Sequence, residues 1–191
     1  MRKHNGMRPQ DIAVLLKIVA MEEKEWQLAT LSGELYISLS EVSESLNRSK
    51  IAGLIDSNKK RVNRLSLMEF LEHGIRYVFP QQPGTMLRGI GTAHTAPFMK
   101  KAFASELNYV WADNTGDIMG LMIEPLYLKQ TKAIKQDELF YKLLTLVDVI
   151  RVGRVREIKY ATEELRKIIL NEPPHKHNTD KSGSQRAGGV K

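Results

Sequence analysis

Leu28-Ala29-Thr30-Leu31-Ser32-Gly33-Glu34-Leu35-Tyr36-Ile37-Ser38-Leu39-Ser40-Glu41-Val42-Ser43 is the stretch whose reading decides the fold. Leu28, Leu31 and Leu35 recur at helical spacing and predict a short helix with one apolar face. A tight turn at Tyr36-Ile37-Ser38 ends it. Ser38-Leu39-Ser40-Glu41 then reads as a capping box, in which the Ser hydroxyl and the Glu carboxylate satisfy orphan amides at a helix start. The spacing of Leu39, Val42 and Leu46 turns those side chains into the core, and the helix is expected to continue through Arg48 and Lys50 to Gly53.

Working outward, Arg8-Pro9-Gln10-Asp11 opens an earlier helix, with Pro in the first turn and Asp at the positive end of the helix dipole. Ile12, Leu15, Leu16 and Val19 form its buried stripe, and the helix is expected to end near Met21. Trp26 anchors the next turn. Downstream of Gly53, Leu54-Ile55 has strand character and Asp56 to Arg61 is a polar turn. Val62 can pair back on Ile55, making a small hairpin with a basic tip. Asn63 or Ser66 caps a fourth helix that buries Leu67, Phe70 and Leu71.

Helix, short helix, tight turn, capped helix, basic hairpin and helix follow one another within the first third. Between Asp11 and about Leu71 this order resembles the winged helix-turn-helix of bacterial MarR-like and ArsR-like transcriptional regulators. Leu28 to Leu35 corresponds to the first helix of the motif, Ser38 to Ser43 opens the recognition helix, and Ala52-Gly53-Leu54-Ile55 leads to the wing. Those families usually place Gly in the turn where Tyr36 stands, so their turn geometry carries over only if Tyr36 avoids a positive φ.

The resemblance implies a regulator that binds double-stranded DNA as a homodimer in the cytoplasm. On the face opposite the core, Ser40, Ser43, Glu44, Asn47 and Arg48 carry groove-reading chemistry: Asn pairs with adenine, Arg with guanine, and Glu tolerates only a cytosine amine. Lys50, Lys59, Lys60, Arg61 and Arg64 are positioned to meet phosphates and set affinity rather than sequence choice. A solvated helix face and a solubilising hairpin tip are the plainer readings of the same residues. A protein-interaction module, antitoxin-like or defence-associated and paired with a protein encoded nearby, is the alternative function.

Composition agrees with a polyanionic partner. The 191 residues carry 29 Lys and Arg against 22 Asp and Glu, a formal charge of +7, which favours nucleic acid without requiring it. With 0 cysteines, disulfides and thiolate zinc sites are excluded. The apolar run from Ile12 to Val19 is too short to span a bilayer, and no secretory signal is expected.

The expected fold is mostly α with small β hairpins. A winged helix over 8–76 precedes a loop-rich segment over 77–136, C-terminal helices over 137–170 and a disordered basic tail over 171–191. Tyr77 to Pro97 shows no periodic element. Tyr109-Val110-Trp111 and Ile118 to Ile123 predict a second hairpin about Asp113 to Gly116. Leu139, Phe140, Leu143, Leu144, Val147 and Ile150 form a wide apolar face that serves as core or as a dimerisation surface, and Arg154 to Leu170 is a last amphipathic helix.

Catalytic and ligand chemistry is weakly indicated. Arg88 to Pro97 is glycine-rich and places His94 at the mouth of a possible anion cradle, but it matches neither the phosphate-loop nor the dinucleotide pattern. His175 and His177 lack a third metal ligand nearby. Asp148, Arg151, Arg154 and Arg156 are best explained by salt bridges and solvated charge on a helix. The expectation is a non-enzymatic protein with no cofactor and no metal.

Overall fold

A computed structural model describes residues 6–21, 25–103, 105 and 107–171. The expected tail beyond Asn171 lies outside the described residues. Among them the chain is mostly helical with one small three-stranded sheet. No helix of the described residues is long and apolar enough to cross a membrane.

The first helices are α1 (Pro9–Ala20), α2 (Leu28–Leu35) and α3 (Leu39–Ile51). Ser38 Oγ accepts from the Glu41 amide at 3.2 Å, which is the Ser half of the expected capping box. Val42 and Leu46 are buried as expected, whereas Leu39 is 53% exposed. Leu39 is the first residue of α3, and the buried residues of the helix begin one turn later at Val42. Gly53, at φ 73°, closes α3, with the Leu54 amide reaching back to the Ser49 carbonyl. That is a Schellman closure, for which glycine is the favoured residue.

Tyr36 adopts φ 57°, in the left-handed region, so the condition for carrying over the turn geometry of the resembled families is not met. The turn forms nonetheless. The Ile37 amide donates to the Ser32 carbonyl at 3.2 Å, the Tyr36 amide to Gly33 at 3.4 Å, and Ser32 Oγ to the Ile37 carbonyl at 2.6 Å. These bonds are set against a steric cost of about 1 kcal/mol for a side chain in this region.

Beyond α3, Ile55 and Val62 form one antiparallel bridge, so the expected hairpin is present at minimal length. The chain continues into α4 (Arg64–Glu69), a π-helical turn (Phe70–Gly74) and α5 (Ile75–Val78). Asn63 precedes α4, but its amide nitrogen donates to the Gly53 carbonyl at 2.6 Å instead of capping the helix.

The middle of the chain departs most from expectation. Tyr77 to Pro97 contains a strand, β1 (Met86–Gly91), followed by a 3-10 turn (Ala93–Thr95), and α6 (Pro97–Lys100) begins at its end. β2 (Tyr109–Ala112) and β3 (Ile118–Met122) occupy the two segments expected to pair as a hairpin. They instead run parallel, Tyr109 opposite Leu121, and each is antiparallel to β1, so the three strands close on themselves.

Glycines allow so small a closure. A Cβ on Gly89 would lie 2.0 Å from the Trp111 carbonyl oxygen, and one on Gly116 would lie 2.2 Å from the Gly89 backbone. Bare backbone at these crossings lets the connection between β2 and β3 wrap across β1.

After α7 (Gln130–Ala133) and a 3-10 turn (Ile134–Gln136) come α8 (Glu138–Val152) and α9 (Val155–Leu170). From Leu143 to Arg151 every residue of α8 is buried. The helix packs against α1, α5, α9 and the 3-10 turn at Ala93–Thr95, which makes its apolar face internal core. α1 is likewise buried on all sides from Asp11 to Val19, because α2 and α3 cover one flank and α8 another. One hydrophobic core therefore runs from the N-terminal helices to α9.

Polar contacts also tie the N-terminal helices to the C-terminal ones. The Lys17 ammonium on α1 meets Glu34 of α2 and Asp137, the N-cap of α8, each at 2.6 Å. Burial opposes the Lys17 charge, but hydrogen bonds to Asp137 and Glu34 outweigh it and hold the ammonium above its ordinary pKa. Arg64, at the start of α4, donates to the Ile169 carbonyl at the end of α9 at 2.8 Å.

Candidate nucleic-acid interface

The α2–turn–α3 pair presents one polar ridge to solvent. Helical spacing aligns Ser40, Glu44, Asn47 and Ile51 opposite the buried line of Val42, Ser45, Leu46 and Ser49. Ser40 and Lys50 are exposed, while Ser43, Glu44 and Asn47 are half-buried. Ser43 and Lys50 border the ridge on one side, and Glu41 and Arg48 border it on the other.

Arg48 does not face the solvent as a base reader must. It is 8% exposed, with Nε 2.8 Å and Nη2 2.6 Å from the two carboxylate oxygens of Asp11. Asp11, fully buried, also accepts the Arg8 backbone amide at 2.8 Å. Hydrogen bonding to Asp11 outweighs burial and holds the guanidinium pKa above its ordinary value. A base reader needs free donors, and those of Arg48 are committed to locking α3 onto α1.

The hairpin tip is built by Asp56. Its Oδ1 accepts the backbone amides of Lys60 at 2.7 Å and Arg61 at 3.1 Å. Burial works against the Asp56 charge, yet those amides hold its carboxyl below the usual range, helped by the charges of Arg61 and Lys50. The tip turns sharply, with Lys59 at φ 57°.

The tip's cations are not equivalent. Lys60 folds back over Trp26, with its ammonium 4.7 Å from the ring centroid and 3.2 Å from the Trp26 carbonyl. Arg61 is exposed and Lys59 half-buried. Arg64 donates through Nη1 to the Ile169 carbonyl at the end of α9, so part of its guanidinium serves as a structural tie. Over residues 8–76 the basic and acidic side chains are equal in number; the formal excess of positive charge lies elsewhere in the chain.

Two residues of this face escaped the sequence reading. Ile51, 67% exposed, continues the ridge and was detectable by counting 11 residues on from Ser40. Lys132 of α7 stands with its ammonium 4.0 Å from the Tyr36 ring, and nothing in local sequence signals that approach.

The other candidates resolve into packing. His94 is 7% exposed, its Nε2 lies 2.6 Å from the Leu107 carbonyl oxygen, and its ring rests on Tyr109 at 4.4 Å. Asp148 is fully enclosed and takes hydrogen bonds from Thr92 Oγ1 at 2.9 Å, Trp111 Nε1 at 2.6 Å and Arg151 at 2.8 Å. Burial pushes its carboxyl above the ordinary range, against the charge of Arg151 and the bonds from Thr92 and Trp111. Arg151 also donates to the Phe79 and Glu124 carbonyls, so this cluster pins the sheet and the 79–82 segment to α8. No group of three metal-ligating side chains occurs among the described residues. His175 and His177 lie outside them.

The chain matches no family model, no curated protein and no solved structure.

Proposed function

We propose that the chain is a sequence-specific double-stranded DNA-binding regulator of the winged helix-turn-helix kind, with α3 as recognition helix and the 56–61 tip as wing. The observation that carries this reading is the outward ridge of α3. Ser40, Glu44, Asn47 and Ile51 offer a hydroxyl, a carboxylate, an amide and a methyl-bearing surface in line, which is chemistry that reads base edges and thymine methyls, Glu44 only beside a cytosine amine. Arg61, Lys59 and Lys50 lie beside the far end of that helix and supply phosphate contacts. Two copies of the motif reading two half-sites would give a palindromic operator.

Selection of bound fragments from random duplex DNA tests the proposal. An enriched motif with two related halves supports it, and Asn47→Ala should then relax discrimination at one position at a cost of about 1–3 kcal/mol. No enrichment at low salt overturns it.

A protein-adaptor role is the second reading. Leu39 and Ile51 are exposed on the same helix, Glu41 and Glu44 repel phosphate, and the unit has no net charge. Absence of duplex selection, together with co-purification of a defined partner that Ile51→Glu releases, would favour it.

A further inference from the structure

From the placement of α7 against the α2–α3 turn, we infer a second DNA-backbone clamp, formed by Lys129 and Lys132, at the end of α3 opposite the wing. The inference rests on the DNA-binding reading above. Lys132 Nζ lies 4.0 Å from the Tyr36 ring, and Tyr36 stands two residues before Ser38, the N-cap of α3. Successive Cα atoms are 3.8 Å apart, so the residue on which this cation rests lies within about 8 Å of the N-cap of the proposed recognition helix, measured between Cα atoms.

Lys129 and Lys132 are exposed, and among the described residues neither pairs with a carboxylate. Four other lysines are paired. Lys135, on the same segment, is held by Asp113 at 3.4 Å and Thr115 at 2.7 Å. Lys17, Lys142 and Lys167 are each paired with carboxylates. A lysine seated on an aromatic ring is held in place without being neutralised, because the ring offers a quadrupole and no formal charge. Lys132 therefore keeps the full positive charge a phosphate would use.

Geometry makes a two-ended clamp coherent. The 13 residues of α3 give it a length of about 20 Å, more than the roughly 12 Å width of the major groove. A helix of that length laid across the groove brings its two ends to opposite bounding backbones. One end meets Lys50, Lys59 and Arg61, and the other meets Lys132 and Lys129.

The experiment measures binding of the full chain to a fluorescent 24-base-pair duplex across salt concentration, for Lys129→Gln/Lys132→Gln, Lys132→Arg and Lys59→Gln/Arg61→Gln, with thermal melts of each variant. The expected result is that Lys129→Gln/Lys132→Gln lowers the slope of log affinity against log salt by roughly one to two units, about 0.9 per lost phosphate contact. Lys132→Arg should retain the wild-type slope. A wild-type slope for Lys129→Gln/Lys132→Gln, while Lys59→Gln/Arg61→Gln loses slope, overturns the clamp and leaves the DNA reading standing. Failure of the wild-type chain to bind the duplex at low salt overturns both.

Discussion

The Arg48 guanidinium grips both oxygens of the Asp11 carboxylate inside the seam between α3 and α1. Thirty-seven residues separate the partners in sequence, and each satisfies a charge the other could not bury alone. Arg48→Met leaves Asp11 charged and enclosed, so it should cost about 3–5 kcal/mol in chemical denaturation. Arg48→Met/Asp11→Leu should recover most of that loss. A stable Arg48→Met with altered base preference would show that Arg48 leaves Asp11 to read DNA.

Lys17 supplies a pH dependence. Its folded pKa is raised above the ordinary 10.5, so its contribution is fully present below that unfolded value and is lost as pH rises through the folded one. Between about pH 9 and 12 the melting temperature of the wild type should fall more steeply than that of Lys17→Met. At neutral pH the variant should lose about 1–2 kcal/mol, since Glu34 is partly exposed and solvent screens its share. Parallel alkaline curves would mean that Lys17 is not paired in solution.

Glycine positions offer a matched pair. Gly89→Ala drives a methyl into the Trp111 carbonyl, and the cost should be at least about 3 kcal/mol. Gly33→Ala, in α2 with nothing within 4 Å of the added carbon, should instead gain about 0.5–1 kcal/mol from helix propensity. Urea titrations of the two variants decide it.

At Tyr36 the backbone conformation and the side chain oppose each other. Tyr36→Gly should be more stable than Tyr36→Ala by about 1 kcal/mol, because only glycine tolerates φ 57° at no steric cost. Equal stabilities would mean that the turn relaxes out of the left-handed region.

Leu46 is 2% exposed, and Leu46→Ala should cost about 2–5 kcal/mol. No change in melting would place α3 in another rotation and dismantle the ridge of Ser40, Asn47 and Ile51.

Local pattern made much of this chain legible. Periodicity located α1, α2, α3, α8 and α9, and the inward placement of Val42 and Leu46 oriented α3 correctly at its centre. Missed features depend on distant partners. Arg48 looks like a base reader until Asp11 is brought beside it, and Arg64 looks like a wing cation until α9 ends against it. β1 was hidden because Gly89 and Gly91 interrupt the apolar alternation that marks a strand. The hairpin expectation for β2 and β3 failed for a related reason: adjacency in sequence favours antiparallel pairing, and only the glycine crossings permit the parallel arrangement.

Closure of the three strands has a consequence for self-association. Each strand is hydrogen-bonded to both of the others, with Gly89 of β1 opposite Ala112 of β2 and Ile118 of β3, so no strand of the described sheet lies along its whole length at an edge open to a neighbouring chain's strand. Pairing of two copies by a continuous intermolecular sheet is thereby disfavoured. Two copies of the chain are then expected to associate through helix surfaces and side-chain packing in preference to strand addition, which leaves their relative spacing unconstrained by a shared sheet.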